Sequence, residues 1–420
     1  MTALSPSATD AVRWAAAPRR VAWAAVGVAV LGLWLVLPPV ESRSAVWPFV
    51  LGAIAATAGA WAALQGERKA GWGAVGVAAI CVVLGYGATQ SSVGHLDGAL
   101  LTDAGPGVVD WGQMINNMFI FAAPLAFAAL GGMFSERSGV VNIGLEGMML
   151  SGAFFGILAA DKTESWPLGL LAAMVSGAVL GLIHAFLSVH MRADQIVGGT
   201  AINFLALGVT GYFFIQVYGE NGTISSEIPS IPDVNLRFLD HIPPKSAGRD
   251  SFWYVAIGHL NLMIWLLFAL LLIAHLVMFR TSIGLRLRSV GEHPRAADTV
   301  GISVYKTRYA AVILSGVIAA LGGAYLAVGY THAFSENMTA GRGFIGLAAL
   351  IFGNWRPFGA FGAALLFGFY LGLATRVQQY GYEPQVFVQA LPYLVTLIAV
   401  AGVIGRSIPP ASVGRPYVKQ

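Results

Sequence analysis

Glu146 is the one acidic side chain set deep in an apolar run of this sequence, in the stretch SERSGVVNIGLEGMML. A charge at that depth is costly and marks a functional candidate. Asn142 lies four residues earlier, on the same face of a helix, and Gly144 and Gly147 allow a broken or closely packed helix there. Two readings stand side by side. Either the pair lines a polar pathway, or the segment is a helix end, with Glu146 capping backbone amides or pairing with Arg137. Asn116 and Asn117 sit in the run Trp111–Leu130, His184 in Pro167–Val189, and Asn203 and Phe204 in Ile196–Tyr218. Each lines a polar path or bonds between helices. The runs hold no ladder of Arg and no chain of acids, so a voltage sensor and a proton-driven carrier are both disfavoured. The energy source is then expected in another subunit.

Catalytic signatures are missing from the sequence. It has no GxxxxGK[ST] phosphate loop, no HExxH or CxxC pattern and no Asp-rich cluster, and its eight His are scattered. No catalytic residue, metal ligand or cofactor is therefore expected in this chain. An embedded enzyme acting on a lipid-linked substrate would need clustered acids or His at one membrane face.

The elements that must position these residues follow from composition. Of 420 residues, 57% are hydrophobic and 10% charged, against about a quarter charged in soluble domains. Cys81 is the single cysteine, so no internal disulfide forms. Continuous apolar runs predict an all-α polytopic transmembrane bundle of about 10–12 spans rather than a barrel. Ten runs are of full length: Val21–Leu37, Val46–Leu64, Gly71–Ala88, Trp111–Leu130, Pro167–Val189, Ile196–Tyr218, Val255–Phe279, Tyr309–Tyr330, Pro357–Thr375 and Val386–Val403. Two more, Ile143–Ala160 and Gly343–Gly353, are interrupted or short and read as broken or half-helices, which need protein or a wet cavity around them.

With twelve crossings and a cytoplasmic N-terminus, Arg43, Lys162, Arg237, Lys245, Arg249, Arg342 and Arg376 fall outside and the other basic residues, of 24 in all, fall inside. The positive-inside rule selects that orientation. Val21–Leu37 is longer than the apolar core of a signal peptide and reads as an uncleaved first helix. The net charge of +4 reflects basic loops and points to no nucleic acid.

The loop 280–308 carries the densest basic set and should face the cytoplasm. Within it Pro294 suits a first helical turn and Gly301 the residue beyond a helix end, which predicts a short helix over 294–301. Such a helix either lies on anionic lipid or docks a cytoplasmic partner.

Three segments resemble one known family. GGMFSERSGVVNIGLEGMMLSGAF, RLRSVGEHPRAADTVGISVYKTRYAAVILSGVIAALGGAYLAVG and GRGFIGLAALIFGNWRPFGAFGAALLFG are similar to ABC importer permeases of the simple-sugar and nucleoside class, and GEHPRAADTVGI points to its nucleoside branch. The resemblance covers roughly 111–405. It implies that 294–301 is the coupling helix seated in a separate ATPase, with Glu292, Pro294, Arg295, Ala297, Asp298 and Gly301 as the positions carried over. It also implies that SGVVNIGLEGMM borders the pathway, so that Asn116, Asn142, Glu146, Asn203 and Phe204 could serve a neutral, hydrogen-bonding solute.

The implied partners are an ABC ATPase that uses ATP and Mg, a second homologous permease in a heterodimer, an extracytoplasmic substrate-binding lipoprotein, and lipid, in a bacterial plasma membrane. The expected product is a permease, not an enzyme, importing purine nucleosides by preference, with simple sugars or branched-chain amino acids as the near alternative and a stand-alone facilitator as the remote one. Residues 1–110 add helices ahead of this core, and 406–420 form a cytoplasmic tail.

Overall fold

The computed structural model describes residues 18–34, 46–90, 111–219, 228–241, 251–379 and 408–418. The chain divides into two compact units, one of 1–110 with 245–250 and 376–405, and one of 111–244 and 251–375 with the tail from Arg406.

The first unit packs α1 (Pro18–Trp34), α2 (Val46–Leu64) and α3 (Arg68–Gln90) against one another. Its core is almost all small: Ala22, Ala25, Ala29, Ala55, Ala62, Ala74 and Ala78 surround Val26 and Cys81. Small side chains let backbones approach closely, the main source of helix association in lipid. Ile54, Ile80 and Val83 remain exposed on the outer surface, as a hydrocarbon-facing surface requires.

In the second unit α4 (Trp111–Arg137), α5 (Leu145–Thr163) and α6 (Trp166–Ala185, ending in a π turn, Phe186–His190) precede α7 (Gln195–Tyr218). A two-stranded antiparallel ribbon pairs β1 (Asp233–Asn235) with β2 (His259–Asn261) in the register Asp233↔Asn261. Then follow α8 (Leu262–Arg280), α9 (Ser282–Glu292), α10 (Pro294–Thr299), α11 (Val304–Ala324, with a π segment Tyr325–Thr331), α12 (Arg342–Phe352) and α13 (Pro357–Gln379). Six of these helices are long and apolar enough to cross a membrane, among the described residues. This is a polytopic helical bundle.

α11 runs through the centre and packs on α4, α5 and α6. The approach to α6 is close because Gly177 and Gly316 face each other, and a methyl group on either would strike the other's carbonyl. The outer helices α6, α7, α8 and α13 keep most of their surface outward, with Leu171, Val175, Phe213 and Leu272 exposed.

Three details differ from the sequence expectation. α4 continues past Leu130 to Arg137, through Gly131 and Gly132, because Gly131 packs against Ser315 O, where a Cβ would fall at 2.6 Å. The run from Val255 opens in a π turn, Tyr254–Gly258, passes through β2 and becomes α-helical only at Leu262, where Asn261 caps the helix by accepting the Met263 N–H at 3.0 Å. Ile143–Ala160, expected to be broken, forms the continuous 19-residue α5 from Leu145, whereas α12, at 11 residues, spans about 16 Å, half of the ~30 Å hydrocarbon, and is the short half-helix expected. Val386–Val403 lies outside the described residues.

Candidate functional site

Residues 138–144 leave helical geometry between α4 and α5, inside the bundle. Backbone groups freed there must find partners, since no bulk water reaches them. Side chains from three helices supply these partners. Ser135 Oγ donates to Val140 O at 2.7 Å. Val141 N–H donates to Gln195 Oε1 at 2.7 Å, and Val141 O lies 2.8 Å from His184 Nε2. Asn203 Nδ2 donates to Ile143 O at 3.1 Å, while Asn203 Oδ1 accepts Gly147 N–H at 2.8 Å. Asn142, wholly buried, donates through Nδ2 to Ser315 Oγ at 2.9 Å. His184 is buried as well and joins α6 to this cradle.

Glu146 sits in the first turn of α5 and is 7% exposed. Its Oε1 accepts Thr339 Oγ1 at 2.6 Å and Gly341 N–H at 2.8 Å, and its Oε2 accepts Gly343 N–H at 2.6 Å. The carboxylate therefore caps the start of α12, where exposed amides and the helix dipole favour an anion. Of the two readings of Glu146, the amide cap is what the geometry realises, on a helix far along the chain rather than on its own. Arg137 does not pair with it. The guanidinium donates instead to Trp355 O at 3.0 Å and Asn354 O at 3.4 Å, and the neighbouring Glu136 accepts the Trp355 indole N–H. α12 is thus held at both ends, by Glu146 and by the α4 terminus. Gly343 is required at its place, since a Cβ would fall 2.6 Å from Glu146 N and Cα.

The predicted pathway residues separate. Asn142, Glu146 and Asn203 meet at the unwound segment. Asn116 stands apart, near the other end of α4, donating to His259 O at 3.4 Å. Phe204 is 70% exposed on the outer surface of α7.

The short helix expected over 294–301 forms as α10, with Pro294 at its first position and Gly301 at φ 86°. It has two faces. Arg295, Ala296, Thr299 and Val300 point outward. Ala297 points inward onto Val290, Val304 and Tyr417. Asp298 accepts the Tyr417 hydroxyl, and burial together with that carboxylate raises the phenol above its ordinary pKa, so it stays a donor.

The tail 408–418 binds this loop to the unwound segment. Ala411 N–H donates to Glu292 Oε2 at 3.1 Å, Ser412 N–H to Gly291 O at 2.9 Å, and Gly414 N–H to Gly139 O at 3.3 Å. Arg308, buried at the base of α11, donates to Arg415 O at 3.1 Å. Gly291 lies directly on the Arg137 carbonyl. The sequence reading missed Glu136 and Arg308, both buried charged residues. The Ser303 cap that starts α11 at Val304 is the signal that places Arg308 within the helix.

Residues 114–400 match the family described as branched-chain amino acid transport system / permease component. The chain belongs to this family. It is 42% identical over 320 residues to the guanosine ABC transporter permease protein NupQ of Bacillus subtilis, covering 71% of this chain and 94% of that one. It is 40% identical over 317 residues to the nucleoside ABC transporter permease protein NupC of Lactococcus lactis, covering 73% and 96%. A putative glucose ABC transporter permease protein, TsgC13 of Haloferax volcanii, is 33% identical over 273 residues, covering 63% and 78%. Both bacteria also hold a second ABC transporter permease that matches this chain at 25% identity. No solved structure matches. As a member of this permease family the chain is a multi-pass membrane component of an ABC transporter, and the family match takes in α4–α13 from Met114 onward.

Proposed function

We propose that this chain imports nucleosides, purine nucleosides above all, as one permease subunit of an ATP-driven importer in a bacterial plasma membrane, with its N-terminus in the cytoplasm. The observation that carries the substrate is the pair of relatives named for guanosine and nucleosides, matched at 42% and 40% over nearly their whole lengths. The presence of two matching permeases in each of those bacteria supports a heterodimer with a second, homologous permease.

In this reading the ATPase seats on the outward face of α10, contacting Arg295, Ala296, Thr299 and Val300, and holds the ATP and Mg. Glu292, Asp298 and the inward Ala297 position that helix. Closure of the ATPase moves α10. Gly291 on Arg137, and the tail through Gly139, carry the movement to residues 138–144 and so to Glu146 and α12. An extracytoplasmic lipoprotein delivers the solute on the opposite side. Asn142 and Asn203 keep the broken backbone satisfied while it borders the path, and Asn116 and Phe204 are the pathway candidates outside that seam.

The test is a binding assay on the cognate lipoprotein, joined to co-purification of the chain with its neighbours. Tight purine nucleoside binding and a co-purifying ATPase are expected. The glucose-named relative at 33% identity favours a simple sugar as the second reading, and lipoprotein binding of pentose or hexose alone would select it.

A further inference from the structure

On the face opposite α10, a cavity of about 290 Å³ opens between the start of α4, the β1–β2 ribbon and the end of α11. Asn116 is 21 positions before Arg137, about 31 Å along a helix, which is the thickness of the hydrocarbon. Tyr330 and His332 likewise close the far end of the helix that begins beside Arg308. The cavity therefore lies at the mouth distal to the coupling loop.

Its wall is preorganised. Asn261 Nδ2 donates to Ile231 O at 3.0 Å, to Gly329 O at 3.2 Å and to Asp233 Oδ1 at 3.3 Å. One side chain thus locks the ribbon to the end of α11. That end is a π segment, a geometry concentrated at functional sites. It turns Tyr330 toward the opening, 43% exposed and edge-on to Phe121 at 5.9 Å. The hydroxyls of Ser230 and Tyr330 make no hydrogen bond with any described residue.

The lining chemistry is selective. Asn116, Ser230 and Tyr330 offer neutral donors and acceptors, His259 and His332 add ring nitrogens, and Asp233 Oδ2 lies 3.8 Å from His259 Nε2. Among the described residues the lining holds no Arg or Lys, and so no bidentate or point-charge partner of the kind that a phosphate or carboxylate calls for. That disfavours nucleotides and amino acids. The volume is at the lower edge of small-molecule sites, about 300 Å³, which suits one ring system and its substituents.

We propose that this cavity is the reception site of the permease, where a neutral nucleoside released by the lipoprotein is held by Asn116, His259 and Tyr330 before it passes inward. The proposal rests on the nucleoside reading. It is tested on the complete permease–ATPase complex in nanodiscs without the lipoprotein, by equilibrium binding of tritiated guanosine, alongside uptake by proteoliposomes with it. The wild type is expected to bind. Asn116→Ala and Tyr330→Phe are each expected to weaken binding and raise the uptake KM by about tenfold or more, with Tm and maximal rate nearly kept. If the wild type takes up guanosine and both variants match it in binding and KM, the cavity assignment fails and the importer reading stands. If the wild type takes up no purine nucleoside, both fall.

Discussion

Glu146 Oε2 accepts the backbone N–H of Gly343 at 2.6 Å, joining residues 197 positions apart. One carboxylate thereby ties the first turn of α5 to the first turn of α12 and sets where the half-helix begins. Removing it should loosen α12 at its inner end. Glu146→Ala should lower stability by about 1–3 kcal/mol, the cost of buried donors left unpaired, and should abolish transport. Glu146→Gln keeps one acceptor oxygen and should fall between. Thermal unfolding in detergent and uptake assays on the three proteins check the order.

Gly343→Ala should act through sterics alone. Its Cβ would enter the space of Glu146 N and Oε2, and overpacking of this kind costs about 1–3 kcal/mol. A Tm as low as that of Glu146→Ala is expected, and an unchanged Tm would show that α12 has room to shift.

His184 and Gln195 together satisfy both backbone groups of Val141. Each substitution to Ala should destabilise by about 1–3 kcal/mol, and the double variant should cost less than the sum, because the two partners hold the two peptide groups that flank one residue. A double-mutant cycle on Tm measures the coupling.

The two faces of α10 should separate in experiment. Val300→Asp and Arg295→Glu, on the exposed face, should leave stability within about 0.5 kcal/mol while the ATPase no longer co-purifies. Ala297→Asp should lower Tm strongly, because it buries a carboxylate among Val290, Val304 and Tyr417. Thermal unfolding and pull-down of the same three variants distinguish seating from positioning.

Much of this architecture was legible from apolar runs alone, since a segment that must cross lipid writes its length into the sequence. The short helix at Pro294 was legible because Pro and Gly mark its two ends. The polar seam was legible only as a set of residues. Asn142, Glu146 and Asn203 stand out by type, but their partners lie on other helices, and Thr339, Gly341 and Ser315 carry no local signal. Ala297 shows the same limit, for a small residue in a docking loop reads alike whether it faces the partner or the core. Arg308 was hidden because helix α11 begins five residues ahead of the apolar run that announces it.

The most direct test is ATP-dependent uptake of guanosine by proteoliposomes containing this chain, its partner permease, the ATPase and the lipoprotein. Uptake of guanosine, competed by other purine nucleosides but not by pentose, glucose or leucine, is the predicted result. Uptake of sugar or leucine with none of guanosine would contradict it.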